Sequence, residues 1–104
     1  MEIVCPACRK SNRPPDDGLE AACTRCGCDL GSLVAIARAA GTQLQDAGDA
    51  LRAGHAGVAL AHADRSWRLR HSRHAAAAAA LAAAAYGDPI ALDRWRRRWA
   101  DTDA

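Results

Sequence analysis

The chain has 104 residues, 50% of them hydrophobic but only 4% aromatic, with 25% charged side chains and a formal net charge of +2. It contains 27 alanines and no phenylalanine, so much of the apolar half is methyl groups. At about 25 cal/mol per Å2 of buried apolar surface, a chain of this size and composition leans on metal, disulfides or partners for stability. The balanced charge singles out neither a nucleic-acid nor a membrane surface. Met1-Glu2-Ile3-Val4-Cys5 has neither the basic nor the apolar segment of a secretory signal, which gives the expectation of a cytoplasmic protein with reduced cysteines.

In chain order, Glu2-Ile3-Val4 reads as a short strand, and Cys5-Pro6-Ala7-Cys8 follows at once. The run Ser11-Asn12-Arg13-Pro14-Pro15-Asp16-Asp17-Gly18 is turn-prone. Leu19-Glu20-Ala21-Ala22 reads as a second strand, ahead of Cys23-Thr24-Arg25-Cys26-Gly27-Cys28. Composition changes near Leu30: all five cysteines lie before it, and almost all the alanine and most of the arginine lie after it. Residues 1–30 and 31–104 are therefore expected to form two regions, the second of them helical.

Leu30, Leu33, Val34, Ala37, Ala40, Leu44, Ala47 and Leu51 recur at three and four residues, predicting a first helix that ends near Gly54, with Gly41 as its candidate kink. A second helix fits Ala56 to Leu69. A third fits Arg73 to Tyr86, with Ser72 as N-cap and Gly87 as its stop. A fourth fits Pro89 to Trp99, with Asp88 as cap and Pro89 in the first turn, where a missing N–H costs nothing. The longest apolar stretch, Ala75 to Tyr86, is far shorter than the roughly 20 residues of a membrane span. The expected fold class is thus mostly α, with about four helices packed as hairpins behind a small cysteine-rich region.

Gly54-His55-Ala56-Gly57-Val58-Ala59-Leu60 and Gly87-Asp88-Pro89-Ile90-Ala91-Leu92 share a glycine, a polar residue and then Val/Ile-Ala-Leu, with their Ala-Leu pairs 32 positions apart. Over Thr42 to Trp99 the chain resembles tetratricopeptide-like helical hairpins, which implies stacked helix pairs with small residues at the packing face. The departures are the absence of a proline at His71 and a second turn one residue shorter than the first.

The two Cys-x-x-Cys pairs lie 14 residues apart. A two-residue gap lets the backbone curl so that both thiolates face one ion, and two such knuckles supply four sulfurs at ~2.3 Å. Cys5, Cys8, Cys23 and Cys26 are the candidate ligands. Four thiolates leave a divalent ion at a formal charge of −2, which nearby Arg9, Lys10 and Arg25 are placed to offset. Gly27 permits the positive φ that turns amides toward the sulfurs, a place that Arg9 fills in the first pair. Cys5-Pro6-x-Cys8, a proline-bearing loop and Cys23-x-x-Cys26-Gly27-x-x-Leu30 resemble the short zinc ribbons of many bacterial proteins. The resemblance implies one structural Zn2+ on those four cysteines, with Leu30 packed beneath the second knuckle. Iron or an iron–sulfur centre is the competing occupant. Cys28 is expected to be a small turn residue, because only one residue separates it from Cys26.

His71 and His74 are expected on a solvated surface, and Trp95 and Trp99 are expected to pack on the alanine-rich third helix. The basic groups Arg94, Arg96, Arg97, Arg98 and Arg65, Arg68, Arg70, Arg73 raise nucleic acid as an alternative partner. No phosphate loop, Ser-His-Asp group or paired carboxylates appear, so no catalytic activity is expected. The expected function is a zinc-stabilised adaptor that offers a helical groove or a basic surface to another, unidentified protein. The alternatives are a nucleic-acid-binding ribbon protein and a rubredoxin-like electron carrier.

Overall fold

Short paired strands and four helices make up the computed structural model, which describes residues 2–13 and 21–102. The elements are β1 (Ile3–Val4), β2 (Ser11–Asn12), α1 (Gly31–Arg52), α2 (Ala56–Leu69), α3 (Arg73–Tyr86) and α4 (Pro89–Asp101). The fold is mostly helical, as its composition implies. The chain divides into two compact units, Met1–Arg38 and Ala39–Ala104, and the division falls inside α1.

In the first unit β1 pairs antiparallel with β2, with Ile3 opposite Asn12 and Val4 opposite Ser11. Sequence reasoning finds β1 and misses β2, because Ser and Asn read as turn formers. The intervening Cys-x-x-Cys knuckle folds the chain back and lays them beside β1 whatever their propensity. Of the second expected strand, Leu19 and Glu20 lie outside the described residues, as does the Pro14–Gly18 stretch of the turn-prone run. Ala22 forms an isolated antiparallel bridge with Asp29. The Leu30 amide donates to the Ala21 carbonyl at 2.7 Å.

The helices of the second unit begin and end for local reasons. Gly54 and Gly87 both adopt positive φ, +80° and +85°. The amide just beyond each reaches back five residues, His55 to the Ala50 carbonyl at 2.8 Å and Asp88 to the Ala83 carbonyl at 3.0 Å. That is the same left-handed helix stop at both turns, so the likeness between the two sequences is a likeness of backbone. The starts differ: Asp88 Oδ1 accepts from the Ala91 amide at 3.0 Å, whereas His55 makes no side-chain cap. Ser72 Oγ caps α3 by accepting from the Ala75 amide at 3.1 Å. The helix assigned to α1 continues unbroken through Gly41.

Packing in this unit rests on alanine. Ala75, Ala76, Ala79, Ala82 and Ala83 of α3 are completely buried, as are Ala59 and Ala63 of α2. Methyl groups at the contacts allow close helix approach, since interaxial distance follows the side chains between the helices. Ala47, Ala63, Ala76, Ala79 and Trp95 form one cluster, and Ala50, Ala59 and Ala82 a second. Buried Ser66 donates its Oγ hydrogen to the Ala40 carbonyl of α1 at 2.8 Å. Trp95 is buried against α3 as expected. Trp99, its neighbour one turn on, is 43% exposed, so the pair is split between core and surface. No helix among the described residues is long and apolar enough to cross a membrane.

Candidate metal centre

The two knuckles fold alike, residue for residue. In the first, the Arg9 amide donates to the Cys5 carbonyl at 2.8 Å and the Cys5 amide to the Lys10 carbonyl at 2.9 Å. In the second, the Gly27 amide donates to the Cys23 carbonyl at 2.9 Å and the Cys23 amide to the Cys28 carbonyl at 2.8 Å. The fifth residue of each knuckle is left-handed, Gly27 at φ 76° and Arg9 at φ 63°. Glycine adopts that conformation freely and arginine against a steric cost. Cys28 therefore corresponds to Lys10: its carbonyl closes the knuckle, and its half-buried side chain packs against the apolar cluster below.

These loops bring together all four sequence-predicted ligands. The sulfurs of Cys5, Cys8, Cys23 and Cys26 lie within 4.8 Å of one another, with Cys5–Cys26 and Cys8–Cys23 at 3.5 Å. A tetrahedron of sulfurs about 2.3 Å from a central ion has edges of about 3.8 Å, so the observed cluster has the size of a metal shell. All four are free thiols. The donor set is sulfur throughout, which suits a soft or borderline ion such as Zn2+ or iron. Cys28 is not in the cluster.

Protons and hydrogen bonds are unevenly distributed over the four. The Cys26 amide, helped by that of Arg25 and the side chain of Asn12, hydrogen-bonds the Cys23 sulfur and, outweighing burial, lowers its pKa to about 6. The amide of Cys8 acts likewise on Cys5 and lowers its pKa. Cys26 is pushed up to about 12: the Cys28 amide pulls downward, but the Cys5 sulfur and desolvation together outweigh it. Burial, and then the neighbouring Cys5, raise Cys28. Four thiols this close do not ionise together without a cation between them.

The centre sits on an apolar floor. Ile3, Cys5, Ala21, Cys23, Leu30, Val34 and Ala37 form one buried cluster, with Leu30 and Val34 completely enclosed. Leu30 thus lies under the knuckles as the resemblance implies, and the first turns of α1 complete the floor. Sequence reasoning missed Asn12. This buried residue accepts at Oδ1 from the Thr24 amide at 3.0 Å and from the Thr24 hydroxyl at 3.3 Å. Its Nδ2 donates to the Lys10 carbonyl at 2.9 Å and the Cys23 sulfur at 3.5 Å. One side chain therefore ties β2 and both knuckles together. No spacing rule flags it, because its role depends on the strand register that puts it opposite Ile3.

The secondary features resolve into local contacts. His71 and His74 are exposed, and His71 stacks on Trp67 with ring centroids 4.1 Å apart. Much of the arginine is engaged within the chain: Arg68 with Asp64, and Arg96 and Arg97 with Asp93, while Arg73 lies over the Trp99 ring. No protein-family model, curated protein or solved structure matches the chain.

Proposed function

We propose that the protein is a zinc-stabilised interaction module of the cytoplasm, without catalytic activity of its own, that presents a helical groove to a partner protein. The observation that carries the partner role is the outer face of α3 and α4. From Ala75 to Tyr86 the chain has no charged residue, yet Leu81 and Tyr86 are each 64% exposed and nearby Ile90 is 75% exposed. Leu81, Ala77, Ala80 and Ala84 of α3 and Leu92, Arg96 and Trp99 of α4 line a groove of ≈ 370 Å3. Contiguous apolar surface of this kind marks interaction sites, and a groove between two helices suits an apolar helix face.

Zinc is the metal assigned to the four cysteines. A closed shell of four thiolates offers no site for an activated water, so the role is structural. Structural zinc supplies on the order of 10–16 kcal/mol in zinc-finger peptides, far more than the small cluster beneath the knuckles contributes. The internal pairing of Arg68, Arg73, Arg96 and Arg97 weighs against the nucleic-acid alternative.

Native purification with metal analysis and partner capture tests this reading. The expected result is about one zinc per chain, no visible thiolate-to-iron absorption, and a co-purifying protein that is lost from Leu81→Arg. A coloured iron protein would favour electron transfer. Partner capture unaffected by Leu81→Arg would remove the groove from the proposal.

A further inference from the structure

A second concavity, of ≈ 580 Å3, lies between α2 and α4 and differs in chemistry from the apolar groove. Its floor holds Trp67 and Trp95, packed edge to face with centroids 5.7 Å apart. Its walls carry two carboxylates, both already engaged. Asp64 pairs with Arg68 at 3.0 Å, and Asp88 is the N-cap of α4. Arg94 and Arg98 line the same cleft from α4. Among the described residues neither guanidinium has an ion pair or a hydrogen bond to a carboxylate.

Arg98 is also held in place. Its guanidinium carbon lies 4.5 Å from the Trp95 ring centroid and 5.6 Å from that of Trp67. Packing over the rings occupies the face of a guanidinium, while its five N–H donors radiate in the plane and stay available. Four residues apart on a helix, the two arginines start about 6 Å apart at Cβ, close enough for both forks to converge on one oxyanion.

We propose that this cleft binds a phosphate monoester, its dianionic group bridging Arg94 and Arg98. Two uncompensated guanidiniums match the −1.5 to −2 charge of such a group near pH 7, and its terminal oxygens accept from both forks. A carboxylate or a phosphodiester carries a single charge and balances only one of them. The phosphate belongs either to a small metabolite or to a phosphorylated side chain of a partner, and the shared chemistry is the monoester.

Calorimetry on the full, metal-loaded chain at constant ionic strength tests this, with tryptophan emission followed in parallel. The probes are inorganic phosphate, a nucleoside 5′-monophosphate and a phosphoserine peptide, against acetate and chloride. Saturable binding is expected for the phosphates, with acetate and chloride about tenfold or more weaker. Arg94→Ala and Arg98→Gln should each weaken it by about tenfold or more, as expected when a charge-assisted contact is removed. Arg94 is exposed, so its variant should retain the parent's near-ultraviolet circular dichroism even if Arg98→Gln disturbs packing. Tighter binding of the nucleotide or of the phosphopeptide identifies the source, and either supports the site. Absence of saturable binding, binding retained in both variants, or an oligonucleotide of phosphodiesters binding more tightly than any monoester would overturn it.

Discussion

Asn12→Ala tests the metal centre at the residue that ties its parts together. The substitution removes the acceptor of the Thr24 amide and hydroxyl and the donor to the Lys10 carbonyl and Cys23 sulfur, and it leaves the Thr24 N–H and Lys10 carbonyl without this partner. Loss of a group that orients a metal ligand typically costs about 10–100-fold in affinity, or about 1.4–2.8 kcal/mol. That matches the loss of two neutral hydrogen bonds at about 1 kcal/mol each. Competition for zinc against a chromogenic chelator reads the change directly. Asn12→Asp sharpens the test, because it keeps an acceptor for Thr24 but replaces the Nδ2 donor with a negative oxygen beside the Cys23 sulfur. At neutral pH it should bind zinc more weakly than Asn12→Ala. Zinc affinity within twofold of the parent in either variant would refute the role assigned to Asn12.

Arg9→Gly should stabilise the metal-bound protein by about 1 kcal/mol, since glycine takes the left-handed conformation of residue 9 without the Cβ clash; an unchanged or lowered denaturation midpoint would contradict this. Gly41→Ala should add about 0.5–1 kcal/mol, because it lies inside α1 with open space around a new Cβ, and a thermal melt reads it. Ala79→Leu should cost about 1–3 kcal/mol by overpacking a fully buried contact; a neutral effect in chemical denaturation would show the helices to be loosely packed. Protonation provides the fifth test. Cys23 is lowered from 9.0 to about 6, so the stability it lends the metal-free fold is fully present above about pH 9 and lost as pH falls through about 6. Cys26, at about 12, keeps its proton at pH 7 without metal, and zinc must displace it. Zinc-binding heats at pH 7.5 should therefore differ between buffers of different ionisation enthalpy, and buffer-independent heats would count against the assignment.

What was legible in the sequence follows from how far each signal reaches. The boundaries of α2 and α3 agree with those read from Ala56, Leu69, Ser72 and Gly87, because caps and glycine stops act within one turn. The four ligands were legible because a Cys-x-x-Cys spacing is itself a local geometry. The pairing of β2 with β1, the work of Asn12 and the exposure of Trp99 were not legible, since each depends on what a distant segment places alongside. The spacing of Trp95 and Trp99 puts both on one face of α4, but it does not say how far that face stays covered. The basic clusters misled in the same way: their density suggested a phosphate surface, whereas the structure engages Arg68, Arg96 and Arg97 with aspartates one turn away.

The scarcity of large side chains has opposite consequences in the two units. Around the cysteines, few apolar residues surround a polar cluster whose geometry a metal ion would close, so stability there depends on an ion outside the chain. In α2, α3 and α4, methyl groups let the backbones approach until no room is left between them. Buried alanine stripes then fix where large residues go: Leu81, Tyr86 and Ile90, excluded from the helix contacts, stand at the surface. The exposed apolar face is therefore a direct consequence of alanine packing. A larger residue at Ala76 or Ala79 would relieve none of that exposure, because these positions face Trp95 and Ala63, away from the groove. Covering Leu81 takes a second surface brought against α3 from outside the helix bundle, and that is the physical basis for assigning the groove to a partner.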